Sequence, residues 1–190
     1  MSAKAVLRQS IRDQVRGLSP QERLSSSERL CERLRDITAW KQASVVLLFA
    51  PLADEPDITP VFHEALSTGR KVALPRFNSD AEVYEAACVA NRSELQPGRF
   101  GALEPSTGCP SIYLKQLDFI LVPGIAFDLV GRRLGRGKGF YDRLLAEVPG
   151  HKCGVAFDVQ IVADLPEEPH DVRVDSILTP TRWHACQRSV

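Results

Sequence analysis

Apolar residues at Val6, Leu7, Ile11 and Val15 recur near the helical period with basic residues between them, which predicts a first helix over 3–16. Ser19-Pro20-Gln21-Glu22 then combines a serine cap, a proline at the first helical position and a glutamate at the third. The helix it starts is expected to run to about Ile37, with Leu24, Cys31 and Leu34 on one apolar face and Leu30 and Ile37 beside it. The period then changes. Ser44-Val-Val-Leu-Leu-Phe49 is a short continuous apolar run of strand formers, as in a buried parallel strand. Asp57-Ile-Thr-Pro60 caps a helix through about Leu66, which Gly69 closes.

Lys71-Val-Ala-Leu-Pro75 predicts a second strand, and 82–89 partly alternates, as a strand at a sheet edge does. Residues 91–111 hold Pro97, Gly98, Gly101 and Pro105 before Gly108-Cys-Pro110 and read mainly as loop. Phe119-Ile-Leu-Val-Pro-Gly124 is a further buried strand, 140–147 a helix, Cys153-Gly-Val-Ala-Phe157 another strand, and 172–178 a last extended piece. Strands alternating with helices predict an α/β fold. Its open, mostly parallel sheet carries helices on both faces and is preceded by an N-terminal helical pair, all in a single domain over 1–190. Ligands of such sheets sit beyond the carboxyl ends of the strands, so the loops 50–57, 124–139 and 158–164 are expected along one edge.

Composition narrows the function classes. The 190 residues hold 24 Lys plus Arg against 24 Asp plus Glu, so nothing in the overall charge points to nucleic acid or a membrane as partner. Cys31, Cys88, Cys109, Cys153 and Cys186 are odd in number, scattered and never paired as CxxC. They predict reduced thiols in a cytoplasmic protein rather than a disulfide framework or a zinc site. His63, His151, His170 and His184 form no ligand cluster in sequence, and His170 is expected to order the loop before Asp175. A monomer acting on small molecules is the expectation.

Positive charge gathers in one place. Residues 131–139 contain four glycines, three arginines and a lysine, between a buried strand and a helix that Phe140 opens. Glycine lets the backbone approach an anion, and the amides and cations supply a positive field. The run is not a Walker A loop, because Gly139 and not Ser or Thr follows Lys138. Gly135-Arg-Gly-Lys-Gly139 also lacks the GxGxxG spacing of dinucleotide folds. Asp142 follows closely, where a carboxylate either joins phosphate oxygens on Mg²⁺ or stabilises the first helical turn by about 0.3–1 kcal/mol. Taken alone, the loop is equally compatible with a basic turn that touches RNA phosphates.

Pro123-Gly-Ile-Ala-Phe-Asp followed by Gly131-Arg-Arg-Leu-Gly-Arg-Gly-Lys-Gly-Phe-Tyr-Asp-Arg143 closely resembles the signature of the 5-formyltetrahydrofolate cyclo-ligase family. Lys4-x-x-x-Arg8, Glu55-x-Asp57, Leu74-Pro-Arg76 and His170-Asp-x-x-x-Asp175 fall in the family's order over nearly the full chain. The resemblance implies ATP- and Mg²⁺-dependent closure of 5-formyltetrahydrofolate, with or without a polyglutamate tail, to 5,10-methenyltetrahydrofolate, releasing ADP and phosphate. It implies that Arg136 and Lys138 are catalytic. Lys4, Arg8, Arg133, Leu134, Gly135, Arg136, Gly137, Lys138, Gly139, Phe140 and Tyr141 would bind ATP. Arg8, Glu55, Arg136, Gly137, Lys138, Gly139 and Phe140 would bind the folate, and Asp142 and Asp175 would hold magnesium.

Two positions depart from the family pattern. Ile58 stands where threonine is common, with Thr59 one place later, so Asp57 competes with Glu55 for the pterin; Phe140 replaces a frequent tyrosine. Outside the resemblance, two other readings fit the fold and the loop: a sugar-phosphate isomerase or acyl-transferase-like α/β enzyme, and a non-catalytic RNA-binding protein.

Overall fold

The computed structural model describes residues 2–186. Its first helices, α1 (Ala3–Gly17) and α2 (Pro20–Asp36), are joined at a two-way cap: Ser19 Oγ accepts from the Glu22 N–H at 3.2 Å, and Glu22 Oε2 accepts from the Ser19 N–H at 2.8 Å. The short α3 (Thr38–Gln42) leads into β1 (Val45–Leu47), then come α4 (Thr59–Ser67), β2 (Lys71–Asn78) and β3 (Val83–Val89). Three short strands follow, β4 (Leu95–Pro97), β5 (Leu103–Pro105) and β6 (Ser111–Ile112). The chain continues through β7 (Phe119–Pro123), β8 (Ala126–Asp128), β9 (Arg133–Leu134), α5 (Phe140–Ala146) and β10 (His151–Val155). It ends in β11 (Ile161–Val162), β12 (Ser176–Leu178) and β13 (Trp183–Ala185).

Eight strands form the main sheet in the order β13-β12-β10-β7-β1-β2-β3-β6. β12, β10, β7, β1 and β2 run parallel, and β13, β3 and β6 add antiparallel edges. The continuous apolar runs belong to the central strands because both faces of those strands are covered. On one face Leu30, Leu34, Trp40, Val61 and Phe62 of α2, α3 and α4 pack on Val46, Val72, Phe119 and Leu121. Leu144 and Leu145 of α5 pack on the other, against Leu47, Ala73, Ile120 and Val122. Each fully buried side chain of this size contributes roughly 1.5–3 kcal/mol. The α/β class, the mostly parallel sheet and the N-terminal helices agree with the reading of the sequence.

A third cluster serves the ligand edge. Ile11 and Val15 of α1 pack on Ile125, Ala126, Leu134, Phe157 and Leu165, around a small sheet in the order β11-β8-β9. The loop 158–164 is part of this buttress: Asp158 Oδ1 accepts from the Thr179 and Thr181 hydroxyls at 2.6 Å each.

The stretch 91–111 differs from the expected loop. It holds the β4–β5 hairpin, whose two prolines suit short edge strands. Leu95 packs against the core, and Glu104 and Pro105 are buried. β13 was not legible either; it pairs antiparallel with β12 from Ser176↔Ala185 to Leu178↔Trp183. All five cysteines carry free thiols: Cys31, Cys109 and Cys153 are buried, Cys88 and Cys186 partly so.

Candidate active site

The chain leaves β1 for β2 on one side and β7 for β10 on the other, so the carboxyl ends of β1 and β7 form the switch point where such sheets bind ligands. A cavity of about 460 Å³ opens there, over Phe49, Ala50, Pro123 and Gly124. The loops 50–57 and 124–139 meet in it as expected.

One end of the cavity is made by the glycine-rich loop and the start of α1. Gly137 has φ +95° and Gly139 φ +64°, left-handed values that let the loop turn its main chain back towards α5. Arg8 Nε donates to the Gly135 carbonyl at 2.8 Å and so fastens α1 to the loop. Lys4 Nζ lies 2.9 Å from Glu168 Oε1 and 3.0 Å from Asp171 Oδ2. Burial pulls the Lys4 pKa down, but these two carboxylates outweigh it and hold the ammonium above its ordinary value. Leu134 is buried among Ile11, Val15 and Phe157, so its backbone rather than its side chain is available to a ligand.

The three expected phosphate cations differ in position. Lys138 is exposed, and no side-chain hydrogen bond or ion pair holds it among the described residues. Arg136 is exposed, with its Nη2 donating to Asp54 Oδ1 at 2.6 Å and Glu55 Oε1 at 2.8 Å. Arg133 also lines the cavity and is the most buried of the three. Its side chain is 4% exposed and sits beneath the loop, with Nη2 2.7 Å from Asp142 Oδ1. Its guanidinium carbon lies 5.7 Å from the centre of the Tyr141 ring. Its Nη1 donates to the Pro123 carbonyl at 3.4 Å, so the guanidinium ties Asp142 to the end of β7.

Aromatic rings close the other end. Phe140 lies 5.1 Å from Phe77, 5.3 Å from Phe100 and 5.7 Å from Tyr84, centre to centre. Tyr141 leans on Tyr84 at 6.1 Å; burial and then the nearby Glu55 keep its hydroxyl protonated far above the usual tyrosine range. Glu55 faces the cavity, with Oε2 accepting from the Leu52 N–H at 3.0 Å. Burial raises its carboxyl, against the pull of Arg136. Asp57 is turned away to cap α4, accepting from the Thr59 N–H at 2.8 Å, so Glu55 and not Asp57 occupies the cavity.

The two expected magnesium ligands are not brought together in the cavity. Asp142 lines the cavity, but Asp175 stands before β12 at the amino end of the parallel strands, where its Oδ2 accepts from the Lys152 N–H at 2.8 Å. The carboxylate brought near Asp142 is Asp171, which also lines the cavity. Its neighbour Val172 donates its N–H to Asp142 Oδ1 at 3.4 Å. Asp171 is held below the usual carboxylate range: burial works against this, and the Glu168 N–H and Lys4 prevail. His170, exposed beside Glu168 and Asp171, borders the same end of the cavity.

The sequence reading missed Asp54, Tyr84, Phe100, Glu104 and Asp171. Asp171 stood inside the quoted His-Asp-x-x-x-Asp piece, and both of its carboxylates lie in extended chain four residues apart, so spacing could not separate them. Asp54 is next to a named residue. Nothing local marks Tyr84, Phe100 or Glu104, which reach the site only through the folding of β3 and the β4–β5 hairpin.

Residues 1–180 match the model of the 5-formyltetrahydrofolate cyclo-ligase family. The 5-formyltetrahydrofolate cyclo-ligase of Mus musculus is 29% identical over 196 residues, covering 93% of each chain. That of Escherichia coli is 30% identical over 177 residues, 90% of this chain and 97% of its own. The solved structure of 5,10-methenyltetrahydrofolate synthetase from Aquifex aeolicus superposes with a TM-score of 0.88 at 35% identity, over 100% of this chain and 96% of that one. The chain belongs to the 5-formyltetrahydrofolate cyclo-ligase family.

Proposed function

We propose that this cavity carries out the family's reaction with ATP at the cationic loop and the folate at the aromatic end. The chain is a cyclo-ligase that converts 5-formyltetrahydrofolate to 5,10-methenyltetrahydrofolate. Membership of the family removes the isomerase or acyl-transferase-like and RNA-binding alternatives. One observation supports the placing of both substrates: a single cavity is lined by Lys4, Arg8, Arg136 and Lys138 at one end and by Tyr84, Phe100 and Phe140 at the other.

In this reading the formyl oxygen takes the γ-phosphoryl group of ATP, ADP departs, the folate's second nitrogen attacks the activated carbon, and phosphate leaves. Phosphoryl transfer needs positioning and charge neutralisation more than covalent help. Lys138 is free to move onto the transferring group, and Arg136, anchored by Asp54 and Glu55, holds its charge at the junction of the two substrates. The main chain of Gly135, Gly137 and Gly139 lies alongside the phosphates, with Lys4 and Arg8 behind them. Phe140 and Tyr141 meet the pterin, and Glu55 contacts it from the loop side.

The donor set suits Mg²⁺, which commonly takes one or two carboxylates and fills its shell with water and phosphate oxygens. Asp142 and Asp171 would hold it, and when bound it would neutralise phosphate charge. Among the described residues no group of three or more His, Cys, Asp or Glu could hold a metal ion alone. We further infer a single-domain monomer, working in the cytoplasm on folates with or without polyglutamate tails rather than on nucleic acid or membrane.

Purified protein supplied with ATP, Mg²⁺ and 5-formyltetrahydrofolate should form the methenyl chromophore, followed by absorbance. No chromophore with a verified substrate, at any enzyme concentration, would overturn the reading.

A further inference from the structure

Glu104 is a cavity carboxylate that none of these steps uses. It lies on β5 and is 7% exposed. Oε2 accepts from the Phe77 N–H at 3.0 Å and Oε1 from the Tyr84 hydroxyl at 3.3 Å. Glu55, across the cavity, shares its charge with Arg136; among the described residues no cation pairs with Glu104. A buried carboxylate without a cation is costly unless hydrogen-bond donors satisfy it, and its two contacts use only about half of its roughly four acceptor sites. The fold is shaped to keep it there. A Cβ at residue 98 would fall 2.4 Å from Glu104 Cδ, so glycine at that position lets the hairpin close over the carboxylate.

We propose that Glu104 is a specificity-determining residue, which accepts the N3–H and 2-amino donors of the folate's pterin ring. The proposal rests on the cyclo-ligase reading. A carboxylate binds best to a group that offers two adjacent N–H donors in one plane, as a guanidinium does. The 2-amino-4-oxo edge of the pterin has that pattern. Adenine does not: its amino group is flanked by ring nitrogens that accept, and one of them would face the carboxylate. The wall beside Glu104 also suits a flat ring, since Tyr84, Phe100 and Phe140 pack on one another with centres 5.3–6.3 Å apart and line the cavity together. The pterin would lie against the cavity side of this aromatic cluster, its amino edge on β5 and its formyl-bearing edge towards Arg136 and Lys138.

The test compares 5-formyltetrahydrofolate with its 2-desamino-2-methyl analogue in the full-length protein. Loss of a hydrogen bond to a charged group should lower kcat/KM for the analogue by about 10- to 100-fold in the wild type. Glu104→Gln keeps the volume and an acceptor for the Phe77 N–H. It should raise KM for the natural folate about tenfold or more, leave KM for ATP within about twofold, and shrink the discrimination to about threefold or less. Equal use of both folates by the wild type overturns the proposal without any variant, which keeps the test open should Glu104→Gln not fold. Equal losses on both folates with the discrimination intact would mark Glu104 as structural, and a KM for ATP that rises with the folate's would place adenine there; either overturns it. Absence of any methenyl product in the wild type is a different result, and would remove the cyclo-ligase reading itself.

Discussion

Arg133 and Lys138 sit five residues apart in one basic loop, the first buried and paired with Asp142, the second exposed. Replacing Arg133 by Met keeps an unbranched apolar stem and removes the guanidinium. Its side chain and that of Asp142 are 4% and 13% exposed, joined at 2.7 Å. Breaking a buried pair by removing one partner costs about 3–5 kcal/mol, because the other charge stays behind uncompensated. Asp142 keeps a long bond from the Val172 N–H at 3.4 Å, which places the loss near the lower end, at about 3 kcal/mol. For a chain of this length that is a fall in Tm of about 6–12 °C. Lys138→Met removes an exposed charge that pairs with nothing among the described residues and should shift stability by about 0.5 kcal/mol or less, yet lower turnover at least about tenfold, some 1.4 kcal/mol. Calorimetry or circular-dichroism melts of both variants, paired with absorbance assays, separate the two. Adding Asp142→Asn to Arg133→Met should recover part of the lost stability, since no stranded carboxylate remains. The reasoning fails if Arg133→Met melts within about 1 kcal/mol of wild type while ATP binding collapses, for Arg133 would then serve the ligand rather than Asp142.

Magnesium titrations of activity should shift to higher concentration in Asp142→Asn and in Asp171→Asn but not in Asp175→Asn; a shift confined to Asp175→Asn would restore the original pairing. Asp171 has a lowered native carboxyl, so its contribution to stability is present above its unfolded value near about 3.9 and is lost as pH falls through the native value. Lys4, raised, contributes fully below about 10.4 and loses this as pH rises through its native value. Thermal melts of wild type and Asp171→Asn should therefore differ by about 1 kcal/mol across neutral pH and converge below about pH 4; a gap that persists in acid would refute the ion-pair account.

Sequence reasoning worked where one segment contains its own cause. The Ser19–Glu22 cap, the apolar runs that became β1 and β7, and the glycines that turn the loop before Phe140 are all local. It failed where a partner comes from elsewhere in the chain. Arg133 reads as one more cation until the fold pairs it with Asp142, nine residues on. Asp171 and Asp175 look equivalent until the β10–β12 pairing fixes Asp175 at the far end of the sheet. Glu104 lies in a stretch dense in proline and glycine, where composition favours loop, and only the pairing of β4 with β5 reveals a buried carboxylate. Leu24, expected on the apolar face of α2, is 51% exposed and borders a second hollow of about 440 Å³ beside the first.

The free thiols give the fold a set of internal clocks. Burial pushes Cys31 and Cys186 up to about 11 and Cys153 up to about 12, so at neutral pH the reactive thiolate is scarce at each while the protein stays closed. Alkylation of the buried Cys31 and Cys153 then proceeds only as their surroundings open. Cys31 reports the release of α2 and Cys153 the parting of the central strands, while the partly buried Cys186 supplies an accessible reference. Mass spectrometry after brief labelling would thus resolve the order in which the layers come apart, with no probe introduced.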